Sequence, residues 1–225
     1  MPADSALYKK ITEELLPRNV TLVAVSKTKP IEEILELYNL GQRDFGENYV
    51  QELSDKHEHL PHDIRWHFIG HLQSNKVKYI APFISLIQGV DSKKLLSEIN
   101  KQGKKLNKVI DCLLQVHISD EETKFGFDEK ELAELFNSNS LNLPGSNNVR
   151  ICGLMGMASF TKDMNKVRNE FKPLKSLFDK YSMLKPFAFK SQFSILSIGM
   201  SADYKIAIEE GSNMVRIGSL LFGNR

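Results

Sequence analysis

The stretch VTLVAVSKTKPIEEILELYNLG, residues 20–41, decides the fold. Its first part is a short β-branched run with two apolar pleat faces, Leu22 and Ala24 on one and Val23 and Val25 on the other. Successive side chains of a strand point to opposite faces, so a strand apolar on both belongs in a parallel sheet covered by helices. Pro30 then sets a first helical turn, Glu32 and Glu33 stand where the helix dipole favours anions, and Ile31, Ile34, Leu35 and Leu37 recur at helical period before Gly41 stops the helix. Strand, loop and helix make one complete unit.

The same grammar extends in both directions. Residues 5–16 read as an opening helix. RDFGEN is followed by YVQELSDKHEHL, IRWHFIG by SNKVKYIAP, and FISLIQGV by DSKKLLSEINKQG, where Asp91 is the expected N-cap. Further on, NKVIDCLLQVHIS precedes DEKELAELFNSN, VRICGLMGM precedes a long helix over 163–181, FSILSIGMS precedes ADYKIAIEEG, and MVRIGSLLFG closes the chain. About eight strands alternating with helices point to a single α/β (β/α)8 TIM barrel, with an open doubly wound sheet as the alternative. With no Pro/Gly/Ser-rich linker, residues 1–225 read as a single domain with an N-terminal helix. Phe171, Leu174, Leu177 and Phe178, at helical spacing, read as core.

The 225 residues are 41% hydrophobic and 26% charged, enough for a sizeable core and unlike disordered, collagenous or coiled-coil chains. Thirty Lys and Arg against 28 Asp and Glu leave a formal charge of +2, too weak a field to argue for nucleic acid. No run approaches the roughly 20 apolar residues that span a bilayer, and the amphipathic N-terminus is no signal peptide. A cytoplasmic protein with no membrane partner is expected. Cys112 and Cys152 lie in apolar runs and read as reduced, buried thiols.

In such a barrel the active face is the C-terminal rim of the strands. After the first strand comes Lys27, on the face of Val23 and Val25. Desolvation and the nearby Lys29 favour its free amine, the form that condenses with an aldehyde; the plain alternative is a lysine that snorkels to solvent. The last two strands end in Ser197, Gly199, Met200 and Ser201, and in Arg216, Ile217, Gly218 and Ser219. These loops have the glycines and hydroxyls of a phosphate cradle. Arg216, at the end of a buried strand, is expected to direct its planar fork at the rim. Glu47 and Asn48 on the second rim, and His67, His71, Gln73 and Asn75 on the third, are polar without a recognisable catalytic order. His57, His59 and His62 lack metal-ligand spacing, and no nucleophile elbow, Walker loop or dinucleotide fingerprint occurs. No metal is expected, and GKKLNK, residues 103–108, reads as a solvated helix end.

Taken together, AVSKTKP, GQRDFGENYVQE, WHFIGHLQSNK, RICGLMGM and SIGMSADYKIAIEEGSNMVRIGSLLFG resemble the YggS/PROSC family of pyridoxal phosphate (PLP) homeostasis proteins over nearly the whole chain. The resemblance implies a fold-type III barrel similar to the N-terminal domain of bacterial alanine racemases, binding the vitamin B6 cofactor pyridoxal 5'-phosphate. It implies that Lys27 carries the Schiff base and Arg216 faces the pyridine nitrogen. By the same resemblance the phosphate lies on the Ser201 loop and on Gly218 and Ser219, with Asn48 and Met200 lining the cofactor. Lys124 in DEETKFGF matches a lysine suggested as a secondary contact in the family.

The family implies binding without established turnover, so no catalytic residue is assigned and a monomeric carrier or regulator of free PLP is expected. PLP-dependent apo-enzymes are its expected partners. Arg216 does not strengthen an electron sink as a carboxylate would. In the racemases a second, β-rich domain and a partner subunit complete the site, whereas this chain ends at Phe222, Gly223, Asn224 and Arg225. The alternatives are a PLP-dependent amino-acid racemase or related enzyme, and a phosphate-binding TIM-barrel enzyme without PLP.

Overall fold

The computed structural model describes residues 3–118, 125–137, 148–183 and 193–223. Parallel strands β1 (Thr21–Val25), β2 (Asp44–Glu47), β3 (Arg65–Phe68), β4 (Leu86–Val90), β5 (Ile110–Val116), β6 (Val149–Gly156), β7 (Ile195–Met200) and β8 (Met214–Ile217) form a closed barrel in chain order. β1 pairs with β2 on one side and β8 on the other, with Val23 beside Arg216. That closure realises the (β/α)8 barrel and excludes the open sheet.

Helix α1 (Ser5–Leu15) precedes the barrel, and α2 (Ile31–Asn39), α3 (Val50–His59), α4 (Val77–Ile80), α5 (Lys93–Lys105), α6 (Glu129–Asn137), α7 (Met164–Ser182) and α8 (Tyr204–Glu209) alternate with its strands. A short α9 (Ser219–Phe222) follows β8. Strand alternation divides the apolar residues into two cores. Leu22, Ala24, Phe45, Trp66, Phe68 and Ile87 face outward against the helices, joined by Phe171 and Leu174 of α7. Val23, Leu86, Leu113, Cys152, Met155 and Met214 pack together inside the barrel. Both cysteines are free, and burial pushes the Cys112 thiol well up and that of Cys152 to about 11, so both stay protonated at neutral pH.

Two expectations for α5 are corrected. Its N-cap is Ser92, whose side chain accepts from Leu95 N at 3.3 Å, while Asp91 turns to His71 with 2.8 Å between Oδ2 and Nδ1. Beyond its end Lys108 is not simply solvated: its Nζ donates to the carbonyls of Ala81, Pro82 and Ile84 at 3.0–3.3 Å, satisfying groups left open past α4. Residues 141–147 and 184–192, with Lys124, lie outside the described residues. Among the described residues no helix is long and apolar enough to cross a membrane.

At the N-terminal end of the barrel Arg65 grips Asp44 with two bonds of 2.8 and 2.5 Å, and His67 Nε2 lies 3.1 Å from the same carboxylate. Burial alone would raise the Asp44 carboxyl, but the bonds from Arg65 and His67 and the charge of Arg65 outweigh it and hold it at about 2. A carboxylate lowered on folding stabilises fully above its unfolded pKa and loses that contribution as pH falls through the folded value. Urea unfolding from pH 6 to pH 2 should therefore show a loss below about pH 4. Asp44→Asn should remove about 2 kcal/mol of it.

Candidate functional site

The C-terminal rim is organised by a buried ion cluster behind β1. Lys56 Nζ of α3 donates at 2.7 Å to each of Ser26 O, Glu47 Oε1 and Glu52 Oε1. Ser26 Oγ donates to Glu47 Oε1 at 2.6 Å, and Thr28 N donates to Glu52 Oε1 at 2.5 Å. The cluster thus clamps both neighbours of Lys27, and Thr28 sits in the left-handed region at φ 62°. Burial pushes the Glu47 carboxyl up, against the charge of Lys56 and the bonds from Lys56 and Ser26. Val23 points into the barrel, and Val25 and Lys27 continue that face into the cavity above it. Lys29 is engaged elsewhere, donating to Phe222 O at 2.6 Å and lying 3.9 Å from Glu33.

Across the rim, Gly199 makes the turn after β7. Its φ is 97°, and a Cβ there would fall 2.5 Å from Ala207 Cβ, so α8 packs this close only against glycine. Asp203 fixes the turn by accepting from Met200 N at 2.6 Å and donating its own N–H to Met200 O at 3.1 Å. Gly218 N donates to Ser201 Oγ at 3.3 Å, tying the loops after β7 and β8 together. The N–H groups of Ser201, Ala202 and Ser219 donate to no acceptor among the described residues, leaving them for an anion.

Arg216 is 3% exposed. Its NH1 donates to Ser197 O at 2.8 Å and Ser197 Oγ at 2.6 Å, and its NH2 to Gly156 O at 2.9 Å. These bonds use three of the five guanidinium N–H groups. Burial draws its pKa down, against the charge of Asp203, to about 10, which keeps it cationic at neutral pH.

A cavity of about 370 Å³ opens on this rim, and its wall includes Lys27, Asn48, Met200, Ser201, Arg216, Gly218 and Ser219. The structure thus brings together the seven residues expected to line the cofactor, while Lys124, the expected secondary contact, lies outside the described residues. Among the described residues Asn48 Oδ1 is buried with no hydrogen-bond partner. At Gly218 a Cβ would press to 3.2 Å on both Cβ and O of Val25. The opposite wall is apolar, with Ile69, Met157, Met164 and Val167. Glu170 of α7 holds the neighbouring loop by accepting from Ser159 N at 2.6 Å and Ser159 Oγ at 2.7 Å, which leaves Phe160 94% exposed beside the opening.

Other expected rim residues lie elsewhere. Glu47 is fully buried behind the rim, His67 is 4% exposed within the barrel, and Ser197 belongs to β7, bonded to Arg216. His71 stacks on Phe125 with 4.1 Å between ring centroids, and Gln73 and Asn75 are exposed. His57 stacks on Phe83 at 3.8 Å, and among the described residues no His/Cys/Asp/Glu group is placed to hold a metal. Sequence reasoning missed Lys56, Gln88 and Glu170. Only Lys56 carried a local signal, the Glu52 four residues before it on the same helix.

An amine, a buried guanidinium and an anion cradle on one barrel rim suit a phosphorylated carbonyl compound, and with the closed fold they define a barrel of the alanine racemase type. Residues 6–225 match the family described as alanine racemase, N-terminal domain. The chain belongs to that family, and within it to the pyridoxal phosphate homeostasis proteins. It is 44% identical over 209 residues to the protein of that name from Aquifex aeolicus, covering 91% of this chain and 86% of the relative. With the Schizosaccharomyces pombe protein of the same name it shares 40% identity over 222 residues, 97% of this chain and 90% of the relative. PipY of Synechococcus elongatus, solved with PLP bound, superposes with a TM-score of 0.85 at 32% identity, covering 97% of this chain and 99% of PipY. Alanine racemase from Bartonella henselae shares the fold at 18% identity and a TM-score of 0.71, this chain covering 58% of it.

Removing the Lys56 ammonium leaves the Glu47 carboxylate buried without its counter-ion, so Lys56→Met should lower unfolding free energy by about 3–5 kcal/mol in urea. Adding Glu47→Gln should recover part of that loss.

Proposed function

We propose that the chain is a pyridoxal 5'-phosphate-binding protein acting in intracellular PLP homeostasis, as a carrier or regulator of the free cofactor without catalytic turnover. The observation that carries the reading is the one cavity that gathers Lys27, Arg216 and the two loops after β7 and β8. The family and the PLP-bound PipY relative support the choice of ligand.

The residues fit the group. The unengaged amides of Ser201, Ala202 and Ser219 suit a phosphate, the partnerless Asn48 Oδ1 awaits a polar contact, and the bare backbone at Gly218 leaves room where a side chain would intrude. When bound, PLP supplies an aldehyde that condenses reversibly with primary amines and a ring that withdraws electrons. Lys27 is the covalent anchor, held at the end of β1 by the Lys56 cluster. Ser201, Gly218 and Ser219 hold the phosphate, Arg216 faces the ring nitrogen, and Asn48 and Met200 line the ring. Residues 1–225 act as one such unit, a monomer whose partners are PLP and PLP-dependent apo-enzymes.

In this reading the ionisable groups of the wall have binding roles: Lys27 and Arg216 meet the ligand, and Asp203 accepts from Met200 N at 2.6 Å. The relatives are named for homeostasis, not for a reaction.

The test is a visible absorption titration of the purified protein with PLP, followed by borohydride reduction, peptide mapping and chiral analysis after addition of amino acids. The wild type should give a reduced adduct on Lys27 and no chiral product above a buffer control. Lys27→Ala should lose the adduct. A full adduct on another lysine would sink the anchor assignment, and Lys27-dependent racemisation would make the protein an enzyme.

A further inference from the structure

We propose that His67, Gln88 and Ser197 are positioning residues: one directional chain of hydrogen bonds through the barrel interior fixes the Arg216 guanidinium at the cavity. The proposal rests on the reading of that cavity as the PLP site.

The chain crosses the barrel from β2 to β8. Arg216 NH1 donates to Ser197 Oγ at 2.6 Å, and Ser197 Oγ donates to Gln88 Oε1 at 2.7 Å. Gln88 Nε2 lies 2.9 Å from His67 Nδ1 and 3.3 Å from Met214 Sδ, and His67 Nε2 lies 3.1 Å from Asp44 Oδ1. Gln88 and Ser197 are 0% exposed, and His67 is 4% exposed.

The proton positions follow from chemistry. Ionised Asp44 only accepts, so His67 Nε2 donates to it, and Nδ1, which faces the amide nitrogen of Gln88, is the acceptor of that N–H. Gln88 must then turn its amide nitrogen towards Nδ1, where its second proton meets the Met214 sulfur, and its oxygen towards Ser197. The reverse orientation would set Gln88 Oε1 against the bare Nδ1 and give the Ser197 hydroxyl proton no acceptor. With the Ser197 proton on Gln88, the hydroxyl oxygen receives Arg216 NH1. Its other NH1 bond and the NH2 bond to Gly156 O then fix the guanidinium plane against β7 and β6.

A barrel of this class is ordinarily filled by bulky aliphatic side chains, and a buried polar chain stabilises little over such a filling. Here the neighbouring interior positions are apolar, Val23, Leu86, Leu113 and Met155 among them. The polar chain occupies the route that ends at Arg216. Its use is orientation: each member has one satisfying arrangement, and the last of them presents the guanidinium.

PLP binding to Ser197→Ala and Gln88→Leu, followed by absorbance and fluorescence, tests this, with thermal melting as the control for folding. Both variants should bind PLP about tenfold more weakly and shift the visible band, while the borohydride adduct stays on Lys27. Gln88→Glu keeps an oxygen that accepts from Ser197 Oγ, so it should bind within about twofold of wild type. Should Gln88→Leu fail to fold, Ser197→Ala, which adds no volume, carries the test. Wild-type affinity and band position in the folded variants overturn the proposal, as does a Gln88→Glu no better than Gln88→Leu. A wild type with no Lys27 adduct would instead overturn the reading of the site.

Discussion

The pairing of β1 with β8 is the constraint on which the rest of the molecule depends. It sets Val23 beside Arg216 and Ala24 beside Ile217, so the inward faces of the first and last strands share one wall. The chain then has no choice about where its chemistry meets. Lys27 continues the Val23 face past the end of β1, Gly218 follows Arg216 past the end of β8, and a strand twist or a one-residue slip would send one of them into the helix layer. Closure also abolishes the sheet edge, which lets strands of four residues such as β2, β3 and β8 stand.

Closure places the strands, but buried polar groups aim the loops. Lys56 reaches from α3 to the backbone of Ser26, and through Glu52 to Thr28, so Lys27 is flanked by fixed points. Glu170 does the same for Ser159, and Asp203 for Met200. Charges this buried stabilise little over apolar replacements, because desolvation offsets most of their attraction. What they confer is position, and all of them sit where a loop borders the cavity. The same argument extends inside the barrel, where the polar route from Asp44 to Arg216 replaces aliphatic packing.

The fold was legible in the sequence because both of its periods are local. The alternation of Leu22, Val23, Ala24 and Val25 and the helical spacing of Phe171 and Leu174 are visible within a few residues. Closure lets that local signal predict which residues share a rim, and the gathering of Lys27 with Ser201 and Gly218 followed. Depth along the barrel was not legible. His67 stands one residue before the end of β3, close enough to the rim in sequence to be read as part of it, yet it points into the barrel towards Gln88 and Asp44. Partners far apart in sequence were equally hidden: Gln88 and Ser197 are separated by 109 positions, and nothing local to either names the other.

A held cation bears on what the cavity does. Arg216 keeps its charge despite burial, and its carbonyl and hydroxyl acceptors stop it from swinging away. Were it to face a ring nitrogen, as proposed, such a cation would oppose a second positive charge there and weaken the ring as an electron sink, while still donating a hydrogen bond that orients it. In the proposed reading the anion cradle, the lysine and the guanidinium all serve retention of the ligand. The apolar wall adds contact area, and Phe160 stands exposed beside it. In the proposed reading such a site keeps custody of a reactive aldehyde, with the Lys56 cluster fixing the backbone on either side of Lys27 and the barrel interior holding Arg216 in line.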